Sequence, residues 1–97
     1  KRNKKDLKHE VTHALYYTSL EYKKQANKIL KKIDKKEHVK INNLLIKIEG
    51  YSNNVLADET QAYILADLNT LKRNNIKVSK LKVVHKELTR SFKRYYN

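Results

Sequence analysis

Ninety-seven residues with 39% hydrophobic content suffice for one modest core and not for two. The chain has no cysteine, which excludes disulfides and thiolate ligands, so any metal must be held by histidine and carboxylate. No stretch approaches 18 consecutive apolar residues, so no membrane span is expected, and the net charge of +13 raises the question of a polyanionic partner.

Proline is absent and glycine occurs once, and the apolar residues recur at helical spacing, so the class expected is all-α. The first element predicted is a long amphipathic helix over about 6–33. Leu7, Val11, Ala14, Leu15, Thr18, Tyr22, Ile29, Leu30 and Ile33 follow the i, i+3, i+4, i+7 pattern, with Asp6 as N-cap. A second helix is expected over about 36–49, with Ile41, Leu44, Leu45 and Ile48 on one face and Asp34 near its start. Gly50 falls where a helix C-terminus takes a left-handed residue, and Ser52 or Asn54 is positioned to cap the next helix. That third helix is predicted over about 55–72, packing through Val55, Leu56, Ala62, Leu65, Leu68 and Leu71 and broken by Arg73, Asn74 and Asn75. The last starts near Ser79 and carries Leu81, Val84, Leu88, Phe92 and Tyr95 at core spacing. About four helices with short connections imply a compact bundle of antiparallel neighbours. The absence of methionine and the opening on Lys1 suggest a fragment or a processed product.

The first helix contains the run HEVTH. Residues i and i+4 stand one above the other on a helix, so His9 and His13 can reach one metal ion, with the Glu10 carboxylate beside it. With four His and six Glu, this pattern is expected by chance in about one such chain in a hundred, so accident is the weaker explanation. Both histidines fall on the flank of the apolar stripe, where a half-buried cleft would be lined. A catalytic zinc takes three protein ligands, and the third is expected from another helix. Glu59 is the strongest candidate, because Ala62 and Ala66 on its helix permit close approach; Asp58 is second.

HEVTHAL followed about fifty residues later by DETQAY resembles the gluzincin group of zinc metallopeptidases, over roughly residues 6–68. The resemblance implies Zn²⁺ on His9, His13 and Glu59, with Glu10 as general base in peptide-bond hydrolysis and a peptide or protein as substrate. Tyr63 and Tyr17 are candidate donors to a developing oxyanion. Many gluzincins carry an acidic residue four positions after the ligand glutamate to orient a histidine; here that position is Tyr63. Zincins also place a β-sheet before the motif helix, where this chain has eight residues. It reads as one helical domain, or as the helical half of a larger zincin-like domain whose substrate groove is completed elsewhere.

Two other readings come from different classes. A basic helical nucleic-acid-binding module is favoured by the net charge and by the closing run Arg90, Lys93, Arg94, Tyr95 and Tyr96, but the lysines are dispersed and outnumber arginines 19 to 4. The remaining reading is an interaction fragment with a metal-free site. His38 and His85 lack ligand spacing and read as solvated or partly packed.

Overall fold

Two polar residues inside otherwise continuous helical patterns decide how the chain is laid out. Ser19 takes an extended conformation (φ −117°, ψ 105°) and its hydroxyl accepts the Tyr22 N–H at 3.1 Å, so one helix ends at Thr18 and another begins at Leu20. Asp67 does the same further on (φ −151°, ψ 58°), accepting the Thr70 N–H at 3.3 Å and the Thr70 hydroxyl at 2.6 Å. The computed structural model describes residues 4–47 and 50–96. It contains six α-helices rather than four: α1 (Lys4–Thr18), α2 (Leu20–Leu30), α3 (Lys35–Lys47), α4 (Leu56–Ala66), α5 (Leu68–Arg73) and α6 (Lys82–Tyr96). Short 3₁₀ turns at Asn53–Val55 and Val78–Leu81 lead into α4 and α6. No described residue lies in a strand.

The sequence-based boundaries fail where a cap interrupts a periodic run. The predicted long first helix is two helices, and the inward side of α1 carries Thr12, Leu15 and Tyr16, while Leu7, which is 55% exposed, Ala14 and Thr18 lie on its exposed side. Asp6 lies inside α1 and is not its N-cap. Ser52 gives no side-chain cap to the 3₁₀ turn beginning at Asn53; its hydroxyl pairs with the Asn54 side chain instead. Other expectations hold. The Glu37 N–H meets Asp34 at the start of α3, and Ile41, Leu44 and Leu45 are buried. Ile48 and Glu49 lie outside the described residues. Gly50 adopts φ +76°, and the Tyr51 N–H donates to the Leu45 carbonyl at 2.9 Å, which closes this end of α3. Leu81, Val84 and Leu88 are buried, with Phe92 and Tyr95 packed at the margin of the core.

Helix α4 is the centre. It lies along α1 and also meets α2, α3 and α6, and every side chain from Asp58 to Leu65 is buried. A helix covered all round must satisfy its polar groups internally, and Asp58, Glu59, Thr60 and Gln61 stand in its first two turns. Helix α2 packs on α6, closing the other side of the core. The Cα radius of gyration of 12.5 Å equals the value of about 12.5 Å expected of a compact chain this long. At the far edge, the buried Glu37 carboxylate accepts the Lys77 N–H at 2.8 Å, tying the first turn of α3 to the segment before α6.

Candidate metal centre

Helix α1 presents His9 and His13 one turn apart, and their rings stand with centroids 4.7 Å apart. Each side chain retains 23% of its exposure, which places both on the flank of the packed face, as the spacing implied. Because α1 lies along α4, the second and third turns of α1 meet the first turn of α4, and Glu59 arrives beside both rings. Glu59 Oε1 lies 3.3 Å from His13 Nε2 and 3.6 Å from His9 Nε2, and one ligand atom from each residue falls within 4.8 Å of the others. Ala62, on the same helix, has no exposed surface, consistent with the close approach of the two axes.

These separations fit a cation. Ligand atoms about 2.05 Å from a tetrahedral zinc are separated from one another by about 3.3 Å, the length of the tetrahedron's edge. The two observed separations lie on or just above that edge. Glu59 Oε1 is buried and has no hydrogen bond, although a ring nitrogen is 3.3 Å away. The separation suits two ligands sharing one ion. A buried carboxylate oxygen without a donor is costly unless a positive charge sits beside it.

Asp58 is not aligned as a ligand. Its Oδ2 lies 2.8 Å from His13 Nδ1, and since an ionised carboxylate only accepts, the hydrogen is assigned to Nδ1. That leaves Nε2, the nitrogen facing Glu59, with its lone pair for a metal. Asp58 Oδ1 accepts from the Gln61 side-chain amide at 3.1 Å. Gln61 in turn accepts the Tyr22 hydroxyl at 2.6 Å and donates to the Thr12 carbonyl at 3.3 Å. A chain of buried hydrogen bonds therefore runs from Tyr22 in the core through Gln61 and Asp58 to His13. Four residues after Glu59, where many gluzincins carry an acidic residue, this chain has Tyr63; the carboxylate that meets His13 is Asp58, immediately before Glu59.

Without a metal, a proton takes the cation's place. The Asp58 hydrogen bond, followed by the nearby Glu59 carboxylate, raises His13 from 6.5 to about 10 against the opposing effect of burial. Burial pushes Glu59 upward, but His13 and His9 outweigh it and hold the carboxyl down at about 2. A metal ion on His13 Nε2 would have to displace the proton that faces Glu59 there.

The remaining site residues divide by exposure. Glu10 is exposed on α1, beside the two histidines. Tyr17, one turn after His13, is also exposed, and the charge of Asp58 raises its hydroxyl. Tyr63 is buried, and its ring meets that of His9 edge-on with centroids 5.0 Å apart, so it packs the histidine in place. His38 and His85 are partly exposed and belong to no metal-capable cluster among the described residues. No family model matches the chain, and neither a curated protein nor a solved structure matches it.

Proposed function

We propose that the chain is the metal-binding helical part of a zinc-dependent peptidase of gluzincin type, with His9, His13 and Glu59 as ligands. The observation that carries this reading is the convergence of three ligand atoms from α1 and α4 at separations of 3.3 and 3.6 Å, one of them a buried carboxylate oxygen without a hydrogen-bond donor. Two imidazoles and a carboxylate are the borderline and hard donors that zinc accepts in hydrolytic sites. Asp58 holds His13 in the tautomer that binds through Nε2, as the second carboxylate does in such sites.

Zinc bound here would supply Lewis acidity, lowering the pKa of water and polarising a substrate carbonyl. The chain's own residues do the rest. Glu10 stands on the exposed side of α1, where it can take a proton from water and deliver it to the departing amine. Tyr17 presents an accessible hydroxyl one turn from His13, a position for donating to an oxyanion; Tyr63, buried on His9, fixes that ring's orientation instead. The substrate class is a peptide or protein, since two-histidine, one-carboxylate sites with an adjacent glutamate base act on amide carbonyls.

The test is hydrolysis of a mixed peptide library by the zinc-loaded chain, read by mass spectrometry beside Glu10→Gln. Cleavage that falls about 10²-fold or more in Glu10→Gln, with zinc retained, is expected. Equal cleavage by both proteins would remove Glu10 as the base. Zinc binding with no cleavage by either would reduce the proposal to a metal site.

A further inference from the structure

The cleft between α2 and α6 shares no residue with the metal centre, and its charge is unbalanced. Lys28 on α2 and Lys32 just beyond it face Arg90 and Arg94 on α6 across a cavity of about 260 Å³, with Gln25, Ile29 and Ser91 completing the walls. The one carboxylate lining it, Glu87, is taken by Lys32 at 2.8 Å. Lysine is dispersed over the whole chain, so lysine alone would mean little. Arginine is rare, however, and two of the four in the chain, Arg90 and Arg94, line this cleft. They stand at i and i+4 on one helix, a like-charge spacing that works against helix stability. The cleft between α3 and α5 also carries cations, but there Lys40 bonds the Asn75 carbonyl at 3.2 Å and Arg73 the Thr70 hydroxyl at 3.1 Å. Among the described residues, no carboxylate is within ion-pairing distance of Lys28, Arg90 or Arg94.

We propose that the α2/α6 cleft binds the phosphate backbone of a single-stranded nucleic acid. Arg90 and Arg94 stand about 6 Å apart along the α6 axis with Lys28 across the cleft, so the unpaired cations meet a ligand that carries charge at more than one point. Both walls are helices whose backbone groups are internally bonded, so the cleft offers no strand edge to an extended peptide and recognition is by charge. A gap framed by two packed helices admits one strand's backbone rather than a duplex. Arg94 also lies over the Tyr95 ring, 6.0 Å from its centroid, while Tyr96 stacks on Phe92 and lines a separate cleft with Leu7 and Val11, so the α2/α6 cleft recognises the strand through its charge and not by stacking bases.

The experiment is fluorescence anisotropy of a labelled oligothymidylate with the full chain over a range of salt, zinc-free and zinc-loaded. Arg90→Glu with Arg94→Glu is compared with Lys47→Glu plus Arg73→Glu, an equal change of net charge on the α3/α5 cleft. The cleft pair should weaken binding roughly tenfold or more and flatten the salt slope by about 1.4, at about 0.7 per lost phosphate contact, while the control pair weakens it less than about threefold. Circular dichroism melts check that both variants fold, and the neutral pair Arg90→Gln, Arg94→Gln should weaken binding in the same direction. Equal losses in the two reversed pairs, or no binding by the parent chain, would overturn the cleft as the site. Binding of oligoglutamate as tight as the oligonucleotide would overturn nucleic acid as the partner. The metal ligands play no part, so Glu59→Gln should leave oligonucleotide affinity unchanged.

Discussion

His13 and Asp58, 45 positions apart in sequence, meet at 2.8 Å through Nδ1 and Oδ2, and this contact holds the His13 ring with Nε2 towards Glu59. An orienting carboxylate fixes the ring and raises the basicity of the nitrogen that binds metal. Asp58→Asn should therefore weaken zinc binding about 10- to 100-fold while leaving the helical content of the metal-free protein unchanged. Competition with a chromogenic chelator measures the first and circular dichroism the second. An unchanged zinc Kd would show that Asp58 is only a buried partner of His13.

The metal-free protein should respond to pH in a defined way. His13 is raised above its unfolded value, so its contribution is fully present below about 6.5 and is lost as pH rises through about 10. Glu59 is lowered, so its contribution is fully present above about 4.5 and is lost as pH falls towards about 2. Thermal midpoints without metal should peak between about pH 4.5 and 6.5. Zinc reverses the upper limb, because its binding must displace the His13 proton and grows stronger as pH rises. Melts with and without zinc from pH 4 to 10 should diverge as pH increases. Parallel curves would mean that His13 holds no such proton.

Tyr22 and Gln61 have no exposed surface and bond at 2.6 Å. Tyr22→Phe removes the donor and leaves the Gln61 oxygen buried and unpaired, a cost of about 1–3 kcal/mol. Because Gln61 also holds Asp58, the same variant should slightly weaken zinc binding. Chemical denaturation and the chelator competition measure the two effects.

Ser19→Ala removes the side-chain cap of α2 and should cost about 1 kcal/mol, without joining α1 to α2, because α1 is held by its packing on α4 and α2 by its packing on α6. Urea denaturation measures the first, and amide exchange at Leu20 and Glu21 reports whether the break persists.

The juxtaposition of His9, His13 and Glu59 was largely legible in the sequence because one helical period governs it. The i, i+4 spacing of His9 and His13 put both on one flank of α1, and small residues marked α4 as the helix that could approach. The helix count was less legible. Ser19 and Asp67 fall within apolar repeats that run on past them, and a hydroxyl or carboxylate inside such a run looks like surface until the backbone turns at it. Leu7 joins the apolar repeat by spacing, yet α1 turns inward the face that carries Thr12, Leu15 and Tyr16, and Leu7 stands off that face and is exposed. Asp58 was harder still. Adjacent to Glu59, it has the same chemistry, and only the packing of α1 on α4 decides which carboxylate meets Nδ1 and which meets Nε2.

Zinc stoichiometry and affinity of the purified chain, measured at neutral pH beside Glu59→Gln and His13→Ala, test the site most directly. One zinc per chain, abolished in His13→Ala and weakened in Glu59→Gln, is the expected result. A chain that takes up no zinc under metal-replete conditions, or one whose zinc is held as tightly by both variants, would contradict the metal centre on α1 and α4.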